Sequence, residues 1–305
     1  MDPLLVILGP TAVGKTNIAI KVAHQLNGEI ISADSMQVYR HLNIGTAKPS
    51  LTEREGVPHH LMDIVDPSEN YNVVRFQSKV KQLIPAIVGR GHLPMLVGGT
   101  GLYISAVVDN YNFSHDGPNP LLRRQLTARA VKLGSQTLHR ELSQVDPAAA
   151  EKIQRTDTRR LVRALEVSAS GQQFSASKHG PPLYRVVQIG LTRKRTKLYE
   201  AVNQRVEQMF DRGLVEEANW ILQLDLPPNL PVLQALGYKE IFPYLQGEVS
   251  IDEAKDNLKR QTRRFVKRQL TWFRRDERII WLDRDEYSDQ EALTAQIVSI
   301  VEGKL

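Results

Sequence analysis

Residues 9–16 of this 305-residue chain read G-P-T-A-V-G-K-T, between an apolar run at Leu4–Leu8 and a helical pattern at Lys15–Leu26. This stretch constrains the fold most, because it commits the start of the chain to a strand whose carboxyl end feeds a glycine loop and then a helix N-terminus. Gly9, Pro10, Thr11, Ala12, Val13 and Gly14 form the loop, whose backbone amides, together with the helix N-terminus, suit an anion. Lys15 adds a point charge, and the Thr16 hydroxyl can hold a magnesium ion. The expected ligand carries a di- or triphosphate; taken alone, the loop suggests a nucleotide such as ATP.

Strand signals at Leu4–Leu8, Glu29–Ala33 and Leu93–Val97 alternate with helical patterns at Lys15–Leu26 and Val73–Gly89. Such alternation predicts a parallel sheet with crossover helices. The cluster S-H-D-G-P-N-P at 114–120 reads as a boundary. Only helical patterns follow it, at Leu121–Leu133, Gln136–Ser143, Pro147–Gln154 and Thr158–Ser170, up to a second turn cluster at 178–182. A β-like run, Arg185–Leu191, comes next. Helical patterns then dominate at Lys197–Arg212, Leu214–Leu224 and Ile251–Arg275, broken by D-L-P-P-N-L-P at 225–231, with Arg278–Asp283 a candidate late strand. The expectation is an α/β fold. A P-loop NTPase-like parallel sheet core with C-terminal helices spans 1–115 and 183–305, and an all-helical domain is inserted at 116–182.

The net charge of +6 is unevenly spread. Residues 120–180 hold eleven Lys/Arg against five acids, and residues 257–275 hold eight cations and no acid, so the remainder of the chain is acidic. Two concentrated cationic segments point to a polyanionic partner, against the plainer reading of solvated helix faces. There is no cysteine, which excludes a disulfide framework and a thiolate zinc site. No apolar run approaches the length of a membrane span. Met1–Leu8 lacks a basic leader and reads as a strand rather than a signal peptide, so a cytoplasmic location is expected.

Three further stretches can carry chemistry. The strand Glu29–Ala33 delivers Asp34 to the rim that bears the phosphate loop, where ligands of open α/β sheets bind. Asp34 can serve there as base or substrate anchor, or only as a turn or cap residue. The strand ending at Val97 runs into Gly98-Gly99-Thr100-Gly101, with the Thr100 hydroxyl expected to face the cleft. Many P-loop nucleotidases end this strand in an acid that helps hold magnesium; its absence weighs against an ordinary NTPase. At 257–275, Leu258, Phe265 and Trp272 recur every seven residues as an apolar stripe, flanked by Val266, Leu270 and Phe273. Arg260, Arg264 and Arg268 recur every four residues on another face, beside Arg263 and Lys267. The eight histidines lack metal-ligand spacing, and His59-His60 read as loop or core residues.

G-P-T-A-V-G-K-T at 9–16, D-S-M-Q-V-Y at 34–39, G-T-A-K-P at 45–49, P-H-H-L-M-D-I at 58–64, V-G-G-T-G-L-Y at 97–103, R-A-L-E-V at 163–167 and K-R-Q-L-T-W-F-R at 267–274 stand in this order. The set resembles the tRNA dimethylallyltransferase (tRNA isopentenyltransferase) family over nearly the whole chain. Gly-Tyr-Lys at 237–239 also fits, and the lack of a cysteine-bearing zinc-finger extension resembles the bacterial type.

The resemblance implies transfer of a dimethylallyl group from dimethylallyl diphosphate to the exocyclic amine of the adenosine just 3′ of a tRNA anticodon. It implies a Mg2+ cofactor held by Thr16, a tRNA anticodon stem-loop as partner, no membrane, and a monomer. The loop residues 9–16 and Arg205 would hold the diphosphate. Asp34 matches the family's general base, with Lys15 and Thr100 in the catalytic set. Ser35, Met36 and Gln37 match its contacts to the target base, and Thr100 and Arg123 match positions that touch tRNA. Arg159, Arg160 and Arg163, with Lys267, Arg268, Gln269, Trp272 and Arg274, would grip the RNA. Three other readings stay open: an adenylate isopentenyltransferase acting on free nucleotide, a small-molecule P-loop kinase, and a nucleotide-switched RNA-binding protein.

Overall fold

The computed structural model describes residues 1–113, 119–176 and 179–305. The chain divides into two units, Met1–Asp109 with Pro182–Leu305, and Asn110–Pro181. The expected junction between residues 115 and 116, the turn cluster around it up to residue 118, and Lys178 lie outside the described residues.

The first unit is built on β1 (Asp2–Leu8), α1 (Lys15–Leu26), β2 (Gly28–Ala33), β3 (His59–His60), α2 (Val73–Gly89), β4 (Leu93–Gly98) and α3 (Gly101–Val108). The second unit holds α4 (Pro120–Leu133), α5 (Ser135–Val145), α6 (Pro147–Lys152) and α7 (Thr158–Ala169). The first unit then resumes with β5 (Tyr184–Thr192), α8 (Arg195–Asp211), α9 (Leu214–Gln223), α10 (Phe242–Leu245), α11 (Ile251–Phe273), β6 (Ile280–Asp283) and α12 (Gln290–Glu302). His59-His60, expected in a loop or core, form a two-residue edge strand paired with Ile30 and Ile31.

All strand pairs are parallel, in the order β3-β2-β4-β1-β5-β6. β1 is central because its apolar run serves both faces. Leu4, Val6 and Leu8 join the core that includes Phe76, Ile84 and Tyr103, while Leu5 and Ile7 join the core that includes Ile18, Val22 and Ile297. A strand buried on both sides reads as a continuous hydrophobic run rather than an alternating one. Parallel pairing also sends every strand's carboxyl end to one rim. That rim therefore gathers Gly9, Asp34, Gly99, Arg193 and Arg284, each directly following a strand.

In the second unit, α5 packs against α4, α6 and α7 around Leu126, Leu138, Leu142, Ile153 and Leu161. Asp146 caps α6 by accepting from the Ala149 amide at 3.0 Å, and it also accepts from the Ser175 amide at 2.8 Å. Among the described residues, no helix is long and apolar enough to cross a membrane.

Candidate active site

A cleft of about 390 Å³ opens in the first unit, lined by Thr11, Lys15, Thr16, Asp34, Gln37 and Arg205, with Gly99 and Gln269 at one wall. Its floor is the phosphate loop. Gly9 (φ 151°) passes so close to β5 that a Cβ would lie 2.5 Å from the Leu191 carbonyl oxygen. Gly14 is left-handed (φ 93°), and so is Ala12 (φ 62°), a conformation L-residues adopt at a cost. Arg284, just past β6, donates to the Val13 carbonyl at 3.1 Å and braces the loop from outside. The sequence gives no local sign of this brace, because the two residues are far apart in the chain.

The Lys15 ammonium donates to the Pro10 carbonyl at 2.8 Å. Burial, and then the charge of Arg205, push its pKa down to about 7, with Asp34 opposing. Burial also lowers the Arg205 guanidinium from its ordinary value, again against Asp34. Two cations thus share one cleft, with the Asp34 carboxylate as a nearby negative charge. Loop shape and electrostatics together suit an anion.

Asp34 stands at the end of β2. Its Oδ1 accepts from the Met36 amide at 2.8 Å and the Gln37 amide at 3.3 Å, a turn that leaves a second carboxylate oxygen for other partners. The Gln37 side chain accepts from Ser32 Oγ on its Oε1 at 2.9 Å, and its Nε2 donates to the Thr46 carbonyl at 3.3 Å. Thr100, the N-cap of α3, makes no side-chain cap bond; its hydroxyl accepts from the Ser35 amide at 3.2 Å instead. The structure therefore brings together Lys15, Thr16, Asp34, Gln37 and Arg205 in one cleft, with Thr100 tied to the turn that carries Asp34.

Two residues of α11 expected on the RNA face turn inward. Gln269 is buried; it accepts from the Thr11 amide at 2.9 Å and donates to the Gly99 carbonyl at 3.0 Å. Trp272 donates to Ser105 Oγ at 3.3 Å and lies so near Gly101 that a Cβ there would collide with the indole. The buried stripe of α11 is Ala254, Leu258, Thr262, Val266, Gln269 and Phe273. Phe265, expected in that stripe, is half-buried and lines the cleft, as do Ile44, Met62 and Met209. Arg264, Lys267, Arg268 and Arg274 are exposed and have no carboxylate partner among the described residues.

In the second unit, Arg159 and Arg160 are exposed on α7. Arg123 and Arg163 both donate to Oε2 of buried Glu166 at 2.7 Å, and the Asn119 amide donates to its other oxygen. These contacts hold the Glu166 carboxyl below its usual range despite burial. Its place three residues after Arg163 on one helix is the signal that finds it.

Glu217 of α9 was not singled out by any motif. It accepts from the amides of Asn43 (2.8 Å), Ile44 and Gly45 (2.9 Å) and from the Tyr238 hydroxyl at 2.6 Å. Gly45 lies under that tyrosine ring, which a Cβ would strike. The segments 45–49 and 237–239 are thereby locked together. Lys48, whose ammonium is buried, donates to the Tyr39 carbonyl at 2.8 Å and Asp63 at 2.5 Å; burial lowers its pKa against Asp63.

A family model described as IPP transferase matches residues 37–276, and one described as isopentenyl transferase matches residues 3–65. The tRNA dimethylallyltransferase of Carboxydothermus hydrogenoformans is 48% identical over 303 residues, covering 98% of this chain and 97% of that one. That of Moorella thermoacetica is 49% identical, covering 98% and 95%. Among solved structures, the full-length tRNA isopentenylpyrophosphate transferase of Bacillus halodurans aligns over 100% of this chain and 97% of its own, with TM-score 0.76 and 44% identity. A eukaryotic dimethylallyltransferase acting on tRNA aligns over 100% and 81%, with TM-score 0.82 and 28% identity. By sequence, family model and fold alike, the chain belongs to the tRNA dimethylallyltransferase family.

Proposed function

We infer that this chain performs its family's reaction, transfer of a dimethylallyl group to tRNA, and we propose the following chemistry for it. The donor is dimethylallyl diphosphate, and the acceptor is the exocyclic amine of the adenosine 3′ of the anticodon. The observation that carries this reading is the single cleft in which a phosphate loop, Lys15 and Arg205 face Asp34, with Ile44, Met209 and Phe265 supplying apolar wall for a five-carbon group.

The bond between the allylic carbon and the diphosphate oxygen breaks, and its electron pair leaves with the diphosphate. The loop amides, Lys15 and Arg205 stabilise the charge that develops there. The adenine amine forms the new C–N bond, and its proton passes to Asp34. Ser35, Met36 and Gln37 are the candidate contacts to that base, which must leave the loop's stack to enter the cleft. Thr16, whose hydroxyl is a hard oxygen donor at the helix start, would hold Mg2+ together with diphosphate oxygens and water. When bound, that ion neutralises charge on the leaving group. Arg159 and Arg160 in one unit, and Arg264, Lys267, Arg268 and Arg274 in the other, are candidate contacts to the RNA backbone. A monomer is the proposed working unit, and a tRNA substrate implies action in the cytoplasm.

The test is incubation of the purified protein with dimethylallyl diphosphate, Mg2+ and unmodified tRNA or AMP, followed by nucleoside mass spectrometry. Dimethylallyladenosine is expected from tRNA. Equal transfer to AMP, or none to tRNA, would overturn the reading.

A further inference from the structure

We propose that Gln269 is a positioning residue for transfer, which sets the leaving-group loop at a fixed distance from the acceptor side of the cleft. The proposal rests on the prenyl-transfer reading above and gives Gln269, whose side-chain amide is engaged by backbone at both ends, a positioning role in place of the RNA contact expected of it.

A continuous chain of hydrogen bonds crosses the rim. The Thr11 amide, in the phosphate loop, donates to Gln269 Oε1 at 2.9 Å. Gln269 Nε2 donates to the Gly99 carbonyl at 3.0 Å. The next residue, Thr100, donates its amide to the Ala33 carbonyl at 3.2 Å and accepts from the Ser35 amide on its hydroxyl at 3.2 Å. Asp34 lies between Ala33 and Ser35. One primary amide thus joins the loop that holds the diphosphate to the turn that carries the base. No other side chain among the described residues hydrogen-bonds to both the phosphate loop and the β4–α3 turn.

Three features fit this role better than general packing. Gln269 is buried, yet both ends of its amide are satisfied by backbone, so its orientation is fixed. Gly99 has no room for a side chain, because a Cβ would collide with the Gln269 amide nitrogen and lie 3.3 Å from the Gly9 carbonyl oxygen. One turn on, Trp272 presses on Gly101. Helix α11 therefore grips the 99–101 turn on both sides of Thr100. The same helix presents Arg264, Lys267, Arg268 and Arg274 outward. Transfer chemistry depends steeply on such spacing, since a displacement of about 1 Å can cost about 100-fold in rate.

The experiment compares full-length wild type, Gln269→Glu and Gln269→Ala, with kcat measured at saturating donor and tRNA and normalised to active sites, and tRNA Kd measured separately. Gln269→Glu keeps the shape and the acceptor for Thr11 but sets a carboxylate against the Gly99 carbonyl. We expect kcat to fall about 10- to 100-fold in both variants, with tRNA Kd within about twofold of wild type. Gly99→Ala, whose methyl displaces the amide, should give the same split and serves if Gln269→Ala does not fold. Unchanged kcat per active site would overturn the proposal and leave Gln269 a packing residue. A weakened tRNA Kd with kcat retained would also overturn it, making Gln269 an RNA contact. Wild type without transfer activity would instead fail the reaction itself.

Discussion

Lys15 sits with its ammonium on the Pro10 carbonyl and its pKa pushed to about 7 by burial and Arg205. A diphosphate favours the charged form, so its binding raises that pKa and takes up a proton wherever free Lys15 is neutral. Affinity for inorganic diphosphate should therefore fall as pH climbs above 7, by up to about tenfold per unit. At pH 8 the binding enthalpy should depend on the buffer's ionisation enthalpy. Lys15→Arg keeps the charge and should remove that dependence; a wild type without it would refute the assignment. The sign for folding is opposite. Lys15 is lowered from 10.5, so between 7 and 10.5 the unfolded chain binds more protons, and this group makes the fold more stable as pH rises through that window. Asp34 calls for a finer substitution than alanine, because its Oδ1 also holds the turn amides of Met36 and Gln37. Asp34→Asn preserves that acceptor and removes the charge. Transfer should drop about 10²- to 10⁴-fold with diphosphate affinity nearly intact; loss of both would make Asp34 structural.

At the scale of elements, the loop 43–45 has no regular structure of its own and depends on α9 through Glu217. Glu217→Ala strands three amides and the Tyr238 hydroxyl, and should cost about 2 kcal/mol in urea unfolding; a change near zero would mean that water replaces the carboxylate freely. Elements with a strong local period were legible in the sequence. Helix α1 begins and ends where its pattern does, between Gly14 and Asn27, both left-handed. The strand runs at 4–8, 29–33 and 93–97 fall within β1, β2 and β4. β3 was not legible, because two residues carry no period and are made a strand only by pairing with β2. Helix α12 has a readable stripe, Leu293, Ile297 and Val301, but no expectation was placed on it. The cleft's phosphate side was legible for the same reason as α1. The inward contacts of Gln269 and Trp272 were not legible, although Trp272 stands in the apolar stripe read from the sequence, because their partners Thr11, Gly99, Gly101 and Ser105 lie more than 160 residues away.

Over the whole molecule, positive charge is concentrated at 120–180 and 257–275 while the remainder is acidic. Not all of it is free. Arg123 and Arg163 are committed to Glu166, and Lys259 to Glu207 at 2.5 Å. Exposed, unpaired Arg264 is a better probe. Arg264→Ala should weaken tRNA binding and reduce the slope of log K against log salt by about 1. An unchanged slope would mean that this face does not meet the RNA. Arg123→Ala should act differently: it leaves Glu166 with one fewer cation, so the helical unit should lose thermal stability, read by its melting transition, before RNA affinity changes.

The central place of β1 also bears on synthesis. The first strand made waits long for its second neighbour, because β5 arrives after the helical unit and Gln269 later still. At ribosomal rates of roughly 5–20 residues per second, the phosphate loop waits on the order of tens of seconds for its second flank and its brace. A nascent chain therefore exposes an apolar strand edge early but has no finished cleft until α11 is made, so half-made enzyme is an aggregation hazard rather than a premature consumer of the donor.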